Sequence, residues 1–169
     1  MAIFAILAAV AGSFLFTLWR FDIRVASAAL LAVVNAVLFV IAIFAIFGLE
    51  IDVTFIAATL TVIGYALNET IIVFDRVRRN LREWRGPGAA DKAHIVNDSI
   101  RQTLTRSFYT VLAVAIGAVS LFFLGAEPLQ MFSLAIFLGL VCGTYSSIFI
   151  APAAWHALAR RVRAPATAD

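Results

Sequence analysis

The residues with the most chemical potential in this chain sit in a run that is otherwise apolar. Gly64-Tyr65-Ala66-Leu67-Asn68-Glu69-Thr70-Ile71-Ile72-Val73-Phe74 sets an amide, a carboxyl and a hydroxyl side by side, and charge resumes only at Asp75-Arg76. If hydrocarbon ends near Arg76, Glu69 lies about 10 Å deep at about 1.5 Å per helical residue, too deep for a short side chain to reach water. A carboxylate at that depth costs a few kcal/mol, so it faces a bundle or a water-filled cavity and takes a partner. The chemistry open to it is proton carriage. A low dielectric favours the neutral acid, whereas an approaching cation or an opened water path favours the anion. One residue can thus load and release a proton; a purely structural role is the alternative.

The natural cation is Arg106, which follows Gln102 and Leu104-Thr105 at the start of another apolar run. It reads equally as a snorkelling anchor at the membrane boundary or as the partner of Glu69. Asn68 and Thr70 flank the acid, and Asn35 lies midway along a further apolar run, where its amide serves either interhelical packing or the polar path. Gly139, Gly143 and Ser147 recur every four residues and form a small-residue face for close helix approach. Thr144, Tyr145, Ser146 and Ser147 add hydroxyls suited to helix contacts or to a hydrated path. The lone Cys142 is a packing residue inside an apolar run, and His94 and His156 fall in wet positions. No nucleophile with a base, metal-ligand set or phosphate loop is visible, so the chain is expected to be no enzyme and to need no metal or cofactor.

These groups must be held by elements that live in lipid. Of 169 residues, 63% are hydrophobic and 14% charged, far from the balance of a soluble domain. The net charge of +3 does not indicate nucleic-acid binding, which needs a solvated basic face. About 20 apolar helical residues cross the hydrocarbon, and five stretches qualify: 1–19, 26–47, 53–74, 107–124 and 129–151. The expected fold is an all-α membrane protein, a single domain built as a five-helix transmembrane bundle. A polar segment, 75–106, joins the third and fourth spans, and a tail, 152–169, begins at Pro152. Within the segment, Asp75 to Arg85 continues the third span as a helix, Gly86-Pro87-Gly88 breaks it, and residues 90–106 form an interfacial helix with Ile95, Ile100 and Leu104 near one face. Arginines 76, 78, 79, 82 and 85 are placed to meet anionic lipid headgroups or a protein partner.

All thirteen Lys and Arg fall at one end of these spans, and the opposite loops hold only Glu50, Asp52 and Glu127. The basic end is the cytoplasmic one, which puts the N-terminus outside and the C-terminus inside. An outside N-terminus that begins directly on apolar residues suggests a missing N-terminal part. A signal peptide is excluded, because no basic region precedes the first apolar run and two arginines stand between it and Ala26-Ser27-Ala28.

Residues 64–81, from Gly64-Tyr65 through Asn68-Glu69-Thr70 to Asn80-Leu81, closely resemble the signature of the SecF family of bacterial protein-export membrane subunits. Ser99-Ile100-Arg101-Gln102-Thr103-Leu104-Thr105-Arg106-Ser107 is similar to the family's segment entering its fifth helix. Gly139 to Pro152, with Gly143-Thr144-Tyr145-Ser146-Ser147-Ile148-Phe149, is similar to its last. Gly48-Leu49-Glu50 and Thr54-Phe55-Ile56-Ala57-Ala58 also match.

The resemblance implies a subunit of the bacterial inner membrane that works with SecD. The pair would use the proton-motive force to assist exported precursor polypeptides through the SecYEG channel, on an architecture similar to resistance-nodulation-division transporters. It also implies that Glu69 stands where the family carries its membrane carboxylate, and Arg106 where the family has an arginine. Three departures accompany the likeness. The family has six transmembrane helices with a periplasmic domain after the first, whereas this chain begins at the second. It has Glu for the usual Asp at 69, and Asn35-Ala36 where the family commonly has His-Asp. The competing expectations are a non-coupling scaffold subunit and half of a proton-coupled efflux transporter.

Overall fold

The apolar periodicity of the chain resolves into helices throughout, and the computed structural model describes residues 2–83 and 89–161. In chain order they are α1 (Ala2–Arg20), α2 (Ile23–Ile46), α3 (Val53–Glu83), α4 (Ala89–Leu124) and α5 (Glu127–Tyr145), then a π-helical turn (Ser146–Ile150) and α6 (Ala151–Arg161). Four helical rods are long and apolar enough to cross a membrane: Ile23–Ile46, Val53–Glu83, His94–Leu124 and Glu127–Leu158; the apolar stretch Phe4–Arg20 is shorter.

Short connections fix antiparallel neighbours. Gly48 turns the chain with φ at +62°, a region where side-chain-bearing residues are strained. Asp52 then opens α3: its carboxylate accepts from the Thr54 hydroxyl at 2.6 Å and from the Phe55 N–H at 2.8 Å, satisfying amides that a helix start leaves open. At the other loop Pro128, which needs no amide partner in a first turn, begins α5.

The third rod is the hub. α3 packs against α1, α2, α4, α5 and the π-turn, and its buried positions Phe55, Ala58, Val62, Ala66, Glu69, Val73 and Val77 follow helical spacing. Small residues let its neighbours approach: Ala36 and Ala66 join Val33, Val37, Val62 and Ile63 in one cluster. Gly139 of α5 sits so close to Val62, and Gly143 so close to Ala66, that side chains there would crowd α3. At 31 residues, α3 is roughly 46 Å long, some 16 Å more than the hydrocarbon is thick.

Two expectations need correction. The segment 90–106 is not a separate interfacial helix. It is the first part of the continuous α4, packed on the α3 extension through Val96, Ser99 and Thr103, while Leu104 is exposed. Once α3 projects beyond the lipid, its Val77 and Leu81 offer α4 an apolar surface, so the pair forms a hairpin. Nor does the last helix stop at Pro152. The Ala151 N–H reaches back five residues to the Ser146 carbonyl. The wider turn ends just before proline, which has no N–H to donate, and α6 then continues to Arg161. The Gly86-Pro87-Gly88 break and Arg85 lie outside the described residues.

Candidate functional site

Three consecutive polar residues on a helix cannot share one face, since each step turns about 100°. α3 resolves the conflict by turning Glu69 and Thr70 inward, each 1% exposed, and Asn68 outward. Thr70 is fully used: its hydroxyl donates to the Ala66 carbonyl at 2.8 Å and meets Ser147 Oγ at 2.8 Å. Ser147 itself reaches the Ala66 carbonyl at 3.1 Å. Asn35 of α2, half-buried, donates to Ser146 Oγ at 2.8 Å and lies 3.7 Å from Cys142 Sγ. The π-turn therefore presents two adjacent serines inward, one latched to α2 and the other to α3. Gly139, Gly143 and Ser147 lie along the buried seam between α3 and the last rod.

Glu69 differs from its satisfied neighbours. It is the one buried charged residue among those described, and neither carboxyl oxygen has a hydrogen-bond partner. The Tyr65 hydroxyl, Ser107 Oγ and Thr144 Oγ1 are likewise buried without partners. Tyr65 lies one turn from Glu69 on α3 and beside both Glu69 and Thr144. Buried polar groups are ordinarily paired; Tyr65 brings Glu69 and Thr144 into one unpaired polar cluster between α3 and α5, and Ser107 is a further unpaired hydroxyl on α4. Sequence reasoning missed Tyr65 as a member. The i,i+4 spacing of Tyr65 to Glu69 is the signal that points to Tyr65.

The structure does not bring Arg106 to Glu69. Arg106 is exposed on α4. Its level along the bundle is nonetheless close. Asn80 donates to Ser99 Oγ at 2.8 Å and Arg76 Nε to Gln102 Oε1 at 2.6 Å. Carried on in that antiparallel register, Arg106 falls beside Ile72 and Val73, about one 5.4 Å turn from Glu69. The buried stripe of α4 runs through Ser99, Thr103 and Ser107, so Arg106 stands roughly a quarter turn off the face that meets α3. α4 is also the least enclosed span, with 11% of its apolar window buried against 39–50% for the other three. His94 and His156 line an open groove of about 520 Å³ at the basic end, formed by α4, the π-turn and α6.

Comparisons with known proteins identify the family and the fold. The family model for the protein export membrane protein SecD/SecF, C-terminal, matches residues 1–161. The protein translocase subunit SecDF of Bacillus subtilis is 44% identical over 92% of this chain and 21% of its own length. The protein translocase subunit SecF of Alicyclobacillus acidocaldarius is 41% identical over 98% of this chain and 54% of its own. The chain thus spans about half the length of that SecF relative. A crystal structure of SecDF, a translocon-associated membrane protein from Thermus thermophilus, superposes with a TM-score of 0.82 at 40% identity, covering 88% of this chain and 20% of that one. SecDF in its super-membrane-facing form gives a TM-score of 0.79.

Proposed function

Because the chain belongs to the SecD/SecF family of protein-export membrane proteins, we propose that it is a translocase subunit coupling proton movement through Glu69 to conformational work. It acts with SecD on precursor polypeptides leaving SecYEG. The observation that carries this reading is the isolation of Glu69, a buried carboxyl on the hub helix α3 with both oxygens unpaired. An ionised carboxylate so placed costs several kcal/mol, so the arrangement suits the acid while it holds its proton. Release needs compensation, and Arg106, one turn away in level and about a quarter turn away in azimuth, supplies it when the loosely enclosed α4 rolls against α3. Tyr65, Thr144 and Ser107 give the proton oxygen neighbours on the way.

In this reading the arginine-rich end faces the cytoplasm, and exposed Asn68, on the outer face of α3, meets SecD. The test is precursor export in cells lacking SecF, comparing the wild-type gene with Glu69→Gln and Arg106→Ala at matched expression. Both variants are expected to fail. Full activity in both sinks coupling and leaves a non-coupling scaffold, the reading favoured by Asn35, whose amide is committed to Ser146 where the family commonly has an ionisable pair.

A further inference from the structure

The basic end of the bundle carries more arginine than its internal contacts use. Asp75 holds Arg20 at 3.6 Å and Arg79 at 3.4 Å, Arg20 also stacks over the Phe21 ring at 5.3 Å, and Arg76 is bonded to Gln102. Arg78 and Arg82, one turn apart on α3, are exposed and have no ion pair or hydrogen bond among the described residues. Both line a single pocket of about 200 Å³ between the α1–α2 connection, α3 and α6.

The floor of this pocket is apolar. Phe21, Val25, Phe74 and Trp155 line it, with the Phe74 and Trp155 rings edge to face at 6.3 Å. With the hydrocarbon boundary near Arg76, Arg78 and Arg82 stand roughly 3 and 9 Å beyond it along α3, from within the roughly 5–8 Å headgroup layer to its outer edge. An aromatic floor at the hydrocarbon boundary beneath two unspent guanidinium groups has the polarity profile of one lipid molecule: glycerol backbone and proximal acyl carbons below, phosphate above. Guanidinium is also the side chain best shaped to grip a phosphate with paired donors. Asp22 is the one acid on the rim, and it opposes the phosphate without cancelling both arginines.

We propose that this pocket is a specific binding site for an anionic phospholipid, with Arg78 and Arg82 on the phosphate and Phe21, Phe74 and Trp155 under the glycerol and first acyl carbons. The site requires only the membrane setting, so it stands apart from proton coupling at Glu69. It would tie the membrane surface to the connection and helices that surround the hub.

The test is a lipid titration of the detergent-solubilised full chain, read by native mass spectrometry with phosphatidylglycerol and phosphatidylethanolamine as probes. Phosphatidylglycerol is expected to be retained in preference. At about fivefold per basic residue near an anionic headgroup, Arg78→Gln with Arg82→Gln should weaken it roughly 25-fold. Leu81→Trp, which fills the pocket while leaving both arginines, should also release the lipid, and Asp22→Asn should tighten it. Arg76→Gln with Arg79→Gln removes the same charge from residues engaged elsewhere and should leave the affinity within about threefold. Equal losses in the two double variants would reduce the binding to diffuse attraction and overturn the site. Retention by Leu81→Trp, or displacement by free glycerol phosphate at the lipid's own concentration, would overturn it too.

Discussion

Replacing Glu69 by Gln separates a proton carrier from a structural acid. The carboxyl is 1% exposed with both oxygens unpaired, so an anion there would cost several kcal/mol, comparable to the whole stability of a small domain. Under the carrier reading the resting acid is neutral, and Gln matches that acid in volume and shape. The exchange adds one unpaired donor, worth about 1 kcal/mol. The expected unfolding free energy in detergent micelles thus changes by no more than about 1 kcal/mol. The proton-gradient dependence of precursor translocation, measured in membrane vesicles with and without an imposed gradient, should disappear. Glu69→Asp, which keeps the acid but shortens it by one methylene, should retain a slower gradient-dependent component. Two results refute the reasoning. An unchanged gradient response in Glu69→Gln removes the carrier role. A destabilisation of about 3 kcal/mol or more would mean that the native acid is ionised and paired, because breaking a buried pair costs that much.

Other outcomes follow from the packing and the caps. Gly139→Ala should destabilise the bundle by about 1–3 kcal/mol, since its new carbon would collide with the Val62 side chain. Gly143→Ala, whose new carbon meets Ala66 Cβ at 3.3 Å, should cost less, and thermal unfolding in micelles ranks the two. Asn35→Ala should remove about 0.6–1.7 kcal/mol of interhelical bonding, read by the same measurement, while leaving gradient-dependent export in place. The Thr54 hydroxyl and the Phe55 N–H hold the Asp52 carboxyl below its ordinary 3.8. Because the folded value is the lower one, its capping contribution is present above 3.8 and is lost as pH falls through the depressed value; the protection of the Phe55 amide, taken relative to its intrinsic exchange rate, should fall there and hold level above.

The sequence disclosed depth better than direction. A carboxyl between Gly64 and Asp75 is recognisable as buried because hydrophobicity accumulates along the chain, and the extension of α3 past the lipid shows in the switch from Phe74 to Asp75-Arg76. Which residues meet around Glu69 depends on azimuth and on partner helices, and local composition carries neither. Adjacency groups Asn68 with the site, yet one 100° step puts it outside. Charge groups Arg106 with it, whereas Ser107, its unremarkable neighbour, is the residue that faces in. Pro152 misled for a related reason. Proline forbids one hydrogen bond, but a π-turn just upstream absorbs that loss without ending the helix.

That π-turn also bears on how coupling would operate with Asn35-Ala36 in place of an ionisable pair. Its two inward serines bind neutral partners, Asn35 through Ser146 and Thr70 through Ser147. The seam between the last rod and the hub is therefore closed by hydrogen bonds that titration does not switch. Glu69 is left as the single carboxyl enclosed by the described bundle, so under the coupling reading this group carries at most one proton per cycle. Motion should then be concentrated where enclosure is weakest, on α4. Cross-linking α4 to α3 through a cysteine pair at the Ser99 and Asn80 positions, which touch at 2.8 Å through their side chains, should arrest gradient-dependent export in a Cys142→Ala background and restore it on reduction. Export that continues with the cross-link complete would place the moving element elsewhere and remove Arg106 as the compensating cation.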